Sequence, residues 1–236
     1  NPLHLNCLVE YLRKEGPGAI PRNLAVVYGV CLATMIEAKV DPDDDLDIDY
    51  LERQLGSYAL ECLVEEQPIP CRSYLLEKLD SAEAEKVEKV GKASGLLVTN
   101  GGVAGFSHAV IQEYLAAIYL AGQSKEEIRA FCERHSRNPL LRNFFKILCG
   151  CIVSAEKQAQ VLDYLEKNNL ALFMDCLRGR TNFSDEMQKQ LSKKDIEAIA
   201  RQALKTYMTI SNRYLSKAKP YMSFWQTLSD PDTSIR

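Results

Sequence analysis

One tryptophan and three histidines stand among 236 residues, and no apolar run reaches bilayer length. Charged or polar residues interrupt each apolar stretch before the roughly 20 residues that a spanning helix needs, so no membrane partner is expected. With only His4, His108 and His135 available, no serine or cysteine context assembles a nucleophile, a base and an orienting group, and no catalytic residue is assigned. A Gly-x-x-x-x-Gly-Lys-Ser/Thr loop is missing. The nearest fragment, Gly91-Lys92-Ala93-Ser94, lacks both the upstream glycine and a hydroxyl directly after the lysine. No apolar run ends in paired acidic residues that would hold magnesium. The phosphate cradle and metal site of an NTPase are therefore both missing, and the chain is not expected to be an enzyme. An excess of one charge is lacking too: the net charge is −3 and the pI near 5.8. Residues 184–236 hold nine Lys or Arg against six Asp or Glu. Neither the whole chain nor this part resembles the basic excess of a nucleic-acid binder, and nucleic acid is not an expected partner.

Cysteine, by contrast, is plentiful. The eight cysteines at 7, 31, 62, 71, 132, 149, 151 and 176 mostly fall inside apolar helical patterns, where a free thiol behaves as a small buried hydrophobe. A reduced, cytoplasmic protein is the expectation. Cys132-x-x-His135 and Cys149-x-Cys151 offer zinc-ligand types, but both pairs lie in helical patterns and residues two apart on a helix point to different sides, so no metal site is assigned. The chain opens with Asn1-Pro2-Leu3-His4-Leu5, which reads as the middle of a segment; a piece of a longer protein is expected.

Periodicity predicts a mainly α fold. Helical patterns run over Pro2 to Glu15, stopped by Gly16-Pro17-Gly18, and from Pro21 through Val26, Val27, Val30, Leu32, Met35 and Ile36. Asp41-Pro42-Asp43-Asp44-Asp45-Leu46-Asp47 interrupts them. It lacks the glycine and distal glutamate of an EF-hand and reads as a solvated linker rather than a calcium loop. A helix at 49–65, a short one near 72–79 and another near 82–93 precede a hairpin, the order of a winged helix. The third of these helices, the usual DNA reader, offers Glu83, Glu85 and Glu88 against Lys86, Lys89 and Lys92, a poor match to a phosphate backbone. Further helical segments follow at roughly 124–135, 138–153, 155–167, 169–178, 194–215 and 220–228. The predicted organisation is a helical domain at 1–46, a winged helix at 47–122, and a helical bundle or short solenoid at 123–236.

The most informative stretch is Phe106-Ser107-His108-Ala109-Val110-Ile111-Gln112-Glu113-Tyr114-Leu115. Gly95-Leu96-Leu97-Val98 and Val103 to Phe106 can pair across the turn Asn100-Gly101-Gly102. Ser107 is a good N-cap, which places His108 in the first turn of a nearly all-apolar helix. Free N–H groups and the helix dipole make that turn attractive to anions. On geometry alone, His108 either satisfies a nearby carbonyl or adds a donor to a phosphate.

Phe106-Ser107-His108-x-x-x-Gln112-Glu113-Tyr114-Leu115-Ala116-Ala117, preceded by Ser94-Gly95-Leu96-Leu97, resembles the winged-helix segment of NACHT-type signalling NTPases. These are STAND-class switch ATPases that include NOD-like receptors and bacterial anti-phage proteins. Asn1-Pro2-Leu3-His4-Leu5 resembles the proline motif directly after their ATPase core, and Pro21-Arg22-Asn23-Leu24 and Leu55-Gly56-x-x-Ala59 match the usual order. The resemblance covers residues 1 to about 153. It implies that Pro2 packs against an adenine and that His108 hydrogen-bonds the β-phosphate of ADP. Bound ADP would latch the winged helix to the core, and exchange to ATP, with Mg, would release it for homo-oligomerisation, in innate immunity or anti-phage defence. The core would lie upstream in the same chain, an unknown protein would act as trigger, and this fragment alone would bind nucleotide weakly. Two rival readings are a helical scaffold docking a protein through 124–236 and a winged-helix DNA-binding regulator.

Overall fold

Short polar side chains start most of the helices by accepting from the first free backbone N–H groups. In the computed structural model, which describes residues 2–16, 21, 23–39, 47–65, 69–100 and 103–178, Asn23 Oδ1 accepts from Val26 N at 3.0 Å and opens α2 (Leu24–Glu37). Asp47 caps α3 (Ile48–Val64) and Asp80 caps α5 (Ser81–Ala93) in the same way. Ser124 and Glu127 form a reciprocal capping box at α7 (Lys125–His135). Ser154 caps α9 (Ala155–Asn168). The remaining helices are α1 (Pro2–Glu15), α4 (Cys71–Leu76), α6 (Ala109–Gly122), α8 (Arg142–Cys151) and α10 (Leu170–Arg178). Among the described residues the fold is mainly helical, with one small two-stranded antiparallel sheet.

That sheet pairs β1 (Leu97–Asn100) with β2 (Val103–Phe106), and the register sets Leu97 opposite Phe106 and Asn100 opposite Val103. A helix C-terminus delivers the chain to it. Gly95, at φ 75°, takes the left-handed turn after α5 and its N–H donates to Lys92 O at 3.0 Å. Leu97 and Ala104 face inward while Val98 and Val103 face out.

α6 is the centre of the packing. It lies against α3, α8 and α2, and buries Ile111, Tyr114, Leu115, Ala116, Ala117 and Leu120. The α3–α6 approach is close because Gly56 has no side chain: a Cβ there would sit 2.7 Å from Leu115 O and 2.8 Å from Tyr119 Cβ. Tyr58, also on α3, reaches the sheet. Its hydroxyl donates to Ile69 O at 2.8 Å and lies 3.3 Å from Ala104 O, while its ring stacks on Phe106 at 5.2 Å. Further along, α8 brings Phe144 and Phe145 against Phe131 of α7.

Several boundaries differ from the sequence reading: α2 starts at Leu24 rather than Pro21 because Asn23 caps it, α4 ends at Leu76 rather than 79, and three others differ for local reasons. The helix predicted at 138–153 begins instead as a 3-10 turn at Pro139–Leu141, because Asn138 Oδ1 accepts from Leu140 N and Pro139 sets the first turn. The first strand starts at Leu97 rather than Gly95, since Gly95 still serves the end of α5. Ser107 does not cap α6. Its N–H donates to Leu96 O at 2.9 Å, which extends the hairpin ladder by one residue, and His108 takes the capping position with φ −145° and ψ 137°. The acidic segment 41–46 and the helices predicted at 194–215 and 220–228 lie outside the described residues.

A methyl group at position 56 tests the central contact. Gly56→Ala drives a carbon into Leu115 O and is expected to cost about 1–3 kcal/mol, the usual range for overpacking. A lower midpoint in urea denaturation at an unchanged slope checks it.

Candidate functional site

Two residues stand out at the hairpin-to-helix junction. His108 is exposed, and among the described residues its imidazole has no hydrogen-bond partner; only its carbonyl is used, accepting from Ile111 N at 3.1 Å and Gln112 N at 3.2 Å. The N–H groups of Ala109 and Val110 belong to the first turn, which has no acceptor of its own there. The Ser107 hydroxyl is buried and also without a partner. An exposed imidazole, a buried hydroxyl and a helix start thus share three consecutive residues. The exposed imidazole and the first-turn N–H groups can offer hydrogen-bond donors to an anion; the buried Ser107 hydroxyl is not accessible to one. The shift of the cap by one residue moves His108 out of the helix but leaves it at the mouth of the dipole.

Pro2, the other predicted contact, is the first residue of α1; its side chain lies outside the described residues. α1 and the start of α6 are nonetheless neighbours. Cys7 of α1 and Val110 and Ile111 of α6 line one small apolar cavity, together with Tyr28 and Met35 of α2.

Glu113 was legible only as one of two polar residues in an apolar helix. The structure gives it a specific position: it is half-buried and accepts a hydrogen bond from Asn143 Nδ2 of α8. Burial raises its pKa above the ordinary carboxylate value, opposed by the Asn143 bond and by Lys146. Glu113 therefore joins the site helix to α8 through a carboxylate whose charged form is disfavoured.

The face that would read DNA is occupied differently. Arg72 of α4 approaches Glu85 at 3.8 Å and Glu88 at 3.7 Å, and Lys92 pairs with Glu88 at 2.7 Å. The carboxylates of α5 are thus held at its surface among cations. Neither half of the Cys132–His135 pair is free: Cys132 is buried, and the His135 ring packs on Phe131 at 4.6 Å. Among the described residues no three His, Cys, Asp or Glu side chains converge to hold a metal.

The Glu113 shift has a sign. Its folded pKa lies above the unfolded one, so the carboxyl contributes fully below the unfolded value and that contribution is lost as pH rises through the folded value. Glu113→Gln does not titrate. Urea unfolding at pH 4 and pH 7 is expected to show the stability difference moving in the variant's favour at the higher pH. No protein-family model, curated protein or solved structure matches this chain.

Proposed function

We propose that this chain is the regulatory part of a NACHT-type STAND NTPase, which senses ADP or ATP held by an upstream core and couples it to autoinhibition and oligomerisation. In this reading 1–46 is the helical domain after the core, 47–122 a winged helix built from α3, α4, α5, the hairpin and α6, and 123–236 a further helical domain. The observation that carries it is His108: an exposed imidazole with no partner among the described residues, set at the start of a buried helix beside free N–H groups. A bland role in satisfying a carbonyl would leave it hydrogen-bonded. Pro2 is the proposed adenine contact. The chain itself carries out no hydrolysis; nucleotide and Mg belong to the core, in a protein of the cytoplasm.

The mechanism is a differential affinity. ADP on the core accepts a hydrogen bond from His108 only when the winged helix is docked, so the nucleotide favours the closed arrangement by the energy of that contact. Because α6 is packed on α2, α3 and α8, movement of His108 is movement of the whole buried helix. Loss of the contact on exchange would free that body to meet a second copy.

A second reading has its own support. Leu140 is 83% exposed and Val153 95% exposed, at the two ends of α8. In the alternative reading a protein trigger docks on 124–236, with these two side chains as candidate contacts, and both readings can hold in one molecule.

In a longer chain that includes the core, His108→Ala is expected to speed ADP release by about 10–100-fold, the equivalent of one hydrogen bond to a charged group. Unchanged ADP retention and unchanged autoinhibition would end the latch reading. Replacing Leu140 and Val153 together by Asp is expected to leave folding stability within about 0.5 kcal/mol per site. If the scaffold reading is right, the same pair abolishes trigger binding in a pull-down with that trigger.

A further inference from the structure

The start of α9 breaks a local rule that the start of α7 obeys. Both helices open on a serine N-cap, Ser124 and Ser154. Three residues after Ser124 stands Glu127, whose carboxylate accepts from the Ser124 N–H at 2.9 Å. Three residues after Ser154 stands Lys157, which has no acceptor to return and sets a cation at the positive end of its own helix dipole. The Lys157 side chain is used elsewhere. Its ammonium donates to Ala121 O at 3.3 Å and to Gln123 O at 2.5 Å, at the C-terminal end of α6. α6 has no basic residue in its own last turn. Its closing carbonyls are met by the Gln123 N–H, which donates to Leu120 O, by the Gln123 amide, which donates to Tyr119 O, and by Lys157. The cation that suits the negative end of the α6 dipole therefore comes from a residue 34 positions beyond Gln123.

The neighbouring side chains of α9 reach other helices. Gln158, buried, donates to Cys149 O at 2.8 Å in the last turn of α8, and Gln160 donates to Lys125 O at 3.3 Å at the start of α7. Of these three side chains only Lys157 holds α6, the helix that carries His108 at its opposite end, about 20 Å away along 14 residues. α9 otherwise packs chiefly on α7 and α10, which makes the Lys157 bonds its main link to α6. A local preference set aside for a distant contact marks a position where long-range order or function overrides it. We infer that Lys157 is the positioning residue through which α6 passes the nucleotide state on to α9, so that the winged helix and the helices after it turn together. This rests on the nucleotide reading of His108 and adds the route onward from it. A rigid helix displaced at its first turn carries its last carbonyls with it. The ammonium bonded to both must follow or lose them, which is how a contiguous chain of hydrogen bonds and stiff elements transmits a displacement.

The test uses the longer chain that includes the core, with hydrogen–deuterium exchange read in α6 and α9 under ADP and under a non-hydrolysable ATP analogue. In the native chain the two nucleotides are expected to give different exchange in both helices, in α9 by about fivefold or more, the ordinary scale of coupling between sites. Lys157→Glu supplies the residue that the start of α9 prefers locally, so α9 stays folded while its bonds to α6 are gone. The α6 response is then expected to persist and the α9 ratio to fall to about one. Lys157→Met, which removes the donors without introducing a negative charge, is expected to do the same. Lys157→Arg keeps the charge and the donors and is expected to restore the response. Gln160→Met cuts a bond from α9 to α7 but none to α6, and is expected to leave the α9 response at its native size. A native-sized α9 response in both Lys157→Glu and Lys157→Met would overturn the inference. So would its loss in Gln160→Met, because any loosening of α9 would then suffice. An α6 that does not respond to nucleotide in the native chain would instead sink the sensing reading, and this inference with it.

Discussion

The close approach of α3 to α6 is the constraint on which the other contacts depend. It exists because Gly56 offers nothing between the α3 backbone and Leu115 O. Drawing the two helices together buries Leu51, Leu55 and Tyr58 on one side and Leu115, Ala116 and Ala117 on the other, all at or near complete burial. Small residues on α6 make the approach possible and large residues on α3 fill the remaining space, which is how close packing without voids is reached. Since α8 and α2 also rest on α6, displacement of that helix would open three interfaces at once. A buried helix so held moves as a body.

Polar groups follow from this packing. A helix in contact with three others has few places for polarity, and those it has are specific. Tyr114 sits so that its hydroxyl would lie 2.7 Å from a Cβ at Gly29, so a side chain there would have to displace the tyrosine ring. Tyr28 meets Tyr114 edge-on at 6.1 Å, an arrangement favoured by the ring quadrupoles. Glu113 points to Asn143, and the amide offsets part of the cost of removing the carboxylate from water. At the N-terminal end the His108 ring is exposed and without a partner among the described residues, whereas the Ser107 hydroxyl, also unpaired, is buried. An unpaired, exposed imidazole beside the free N–H groups that start a buried helix is the physical content of the nucleotide-sensing proposal.

Helix starts were readable in the sequence to within a residue or two where Asp47, Asp80, Ser124 and Ser154 precede an apolar period, but the start read at Pro21 moves to Leu24 because Asn23 caps it. The hairpin was equally readable, because the Asn-Gly-Gly turn and alternating apolar residues leave one register. Ser107 misled because its preference for capping competes with the backbone ladder, and the ladder bond to Leu96 won. Local propensity cannot see a partner eleven residues away.

The periodic burial of apolar side chains and the choice of residues that start and stop helices are properties of neighbours along the chain, so composition and order sufficed to set most of the elements. Which carboxylate is desolvated and which imidazole is left open are decided by contacts between distant segments. Glu113 meets Asn143 and Gly56 meets Leu115 only after the helices have packed. No spacing in one dimension encodes those meetings, because each depends on the angle and depth at which two helices cross.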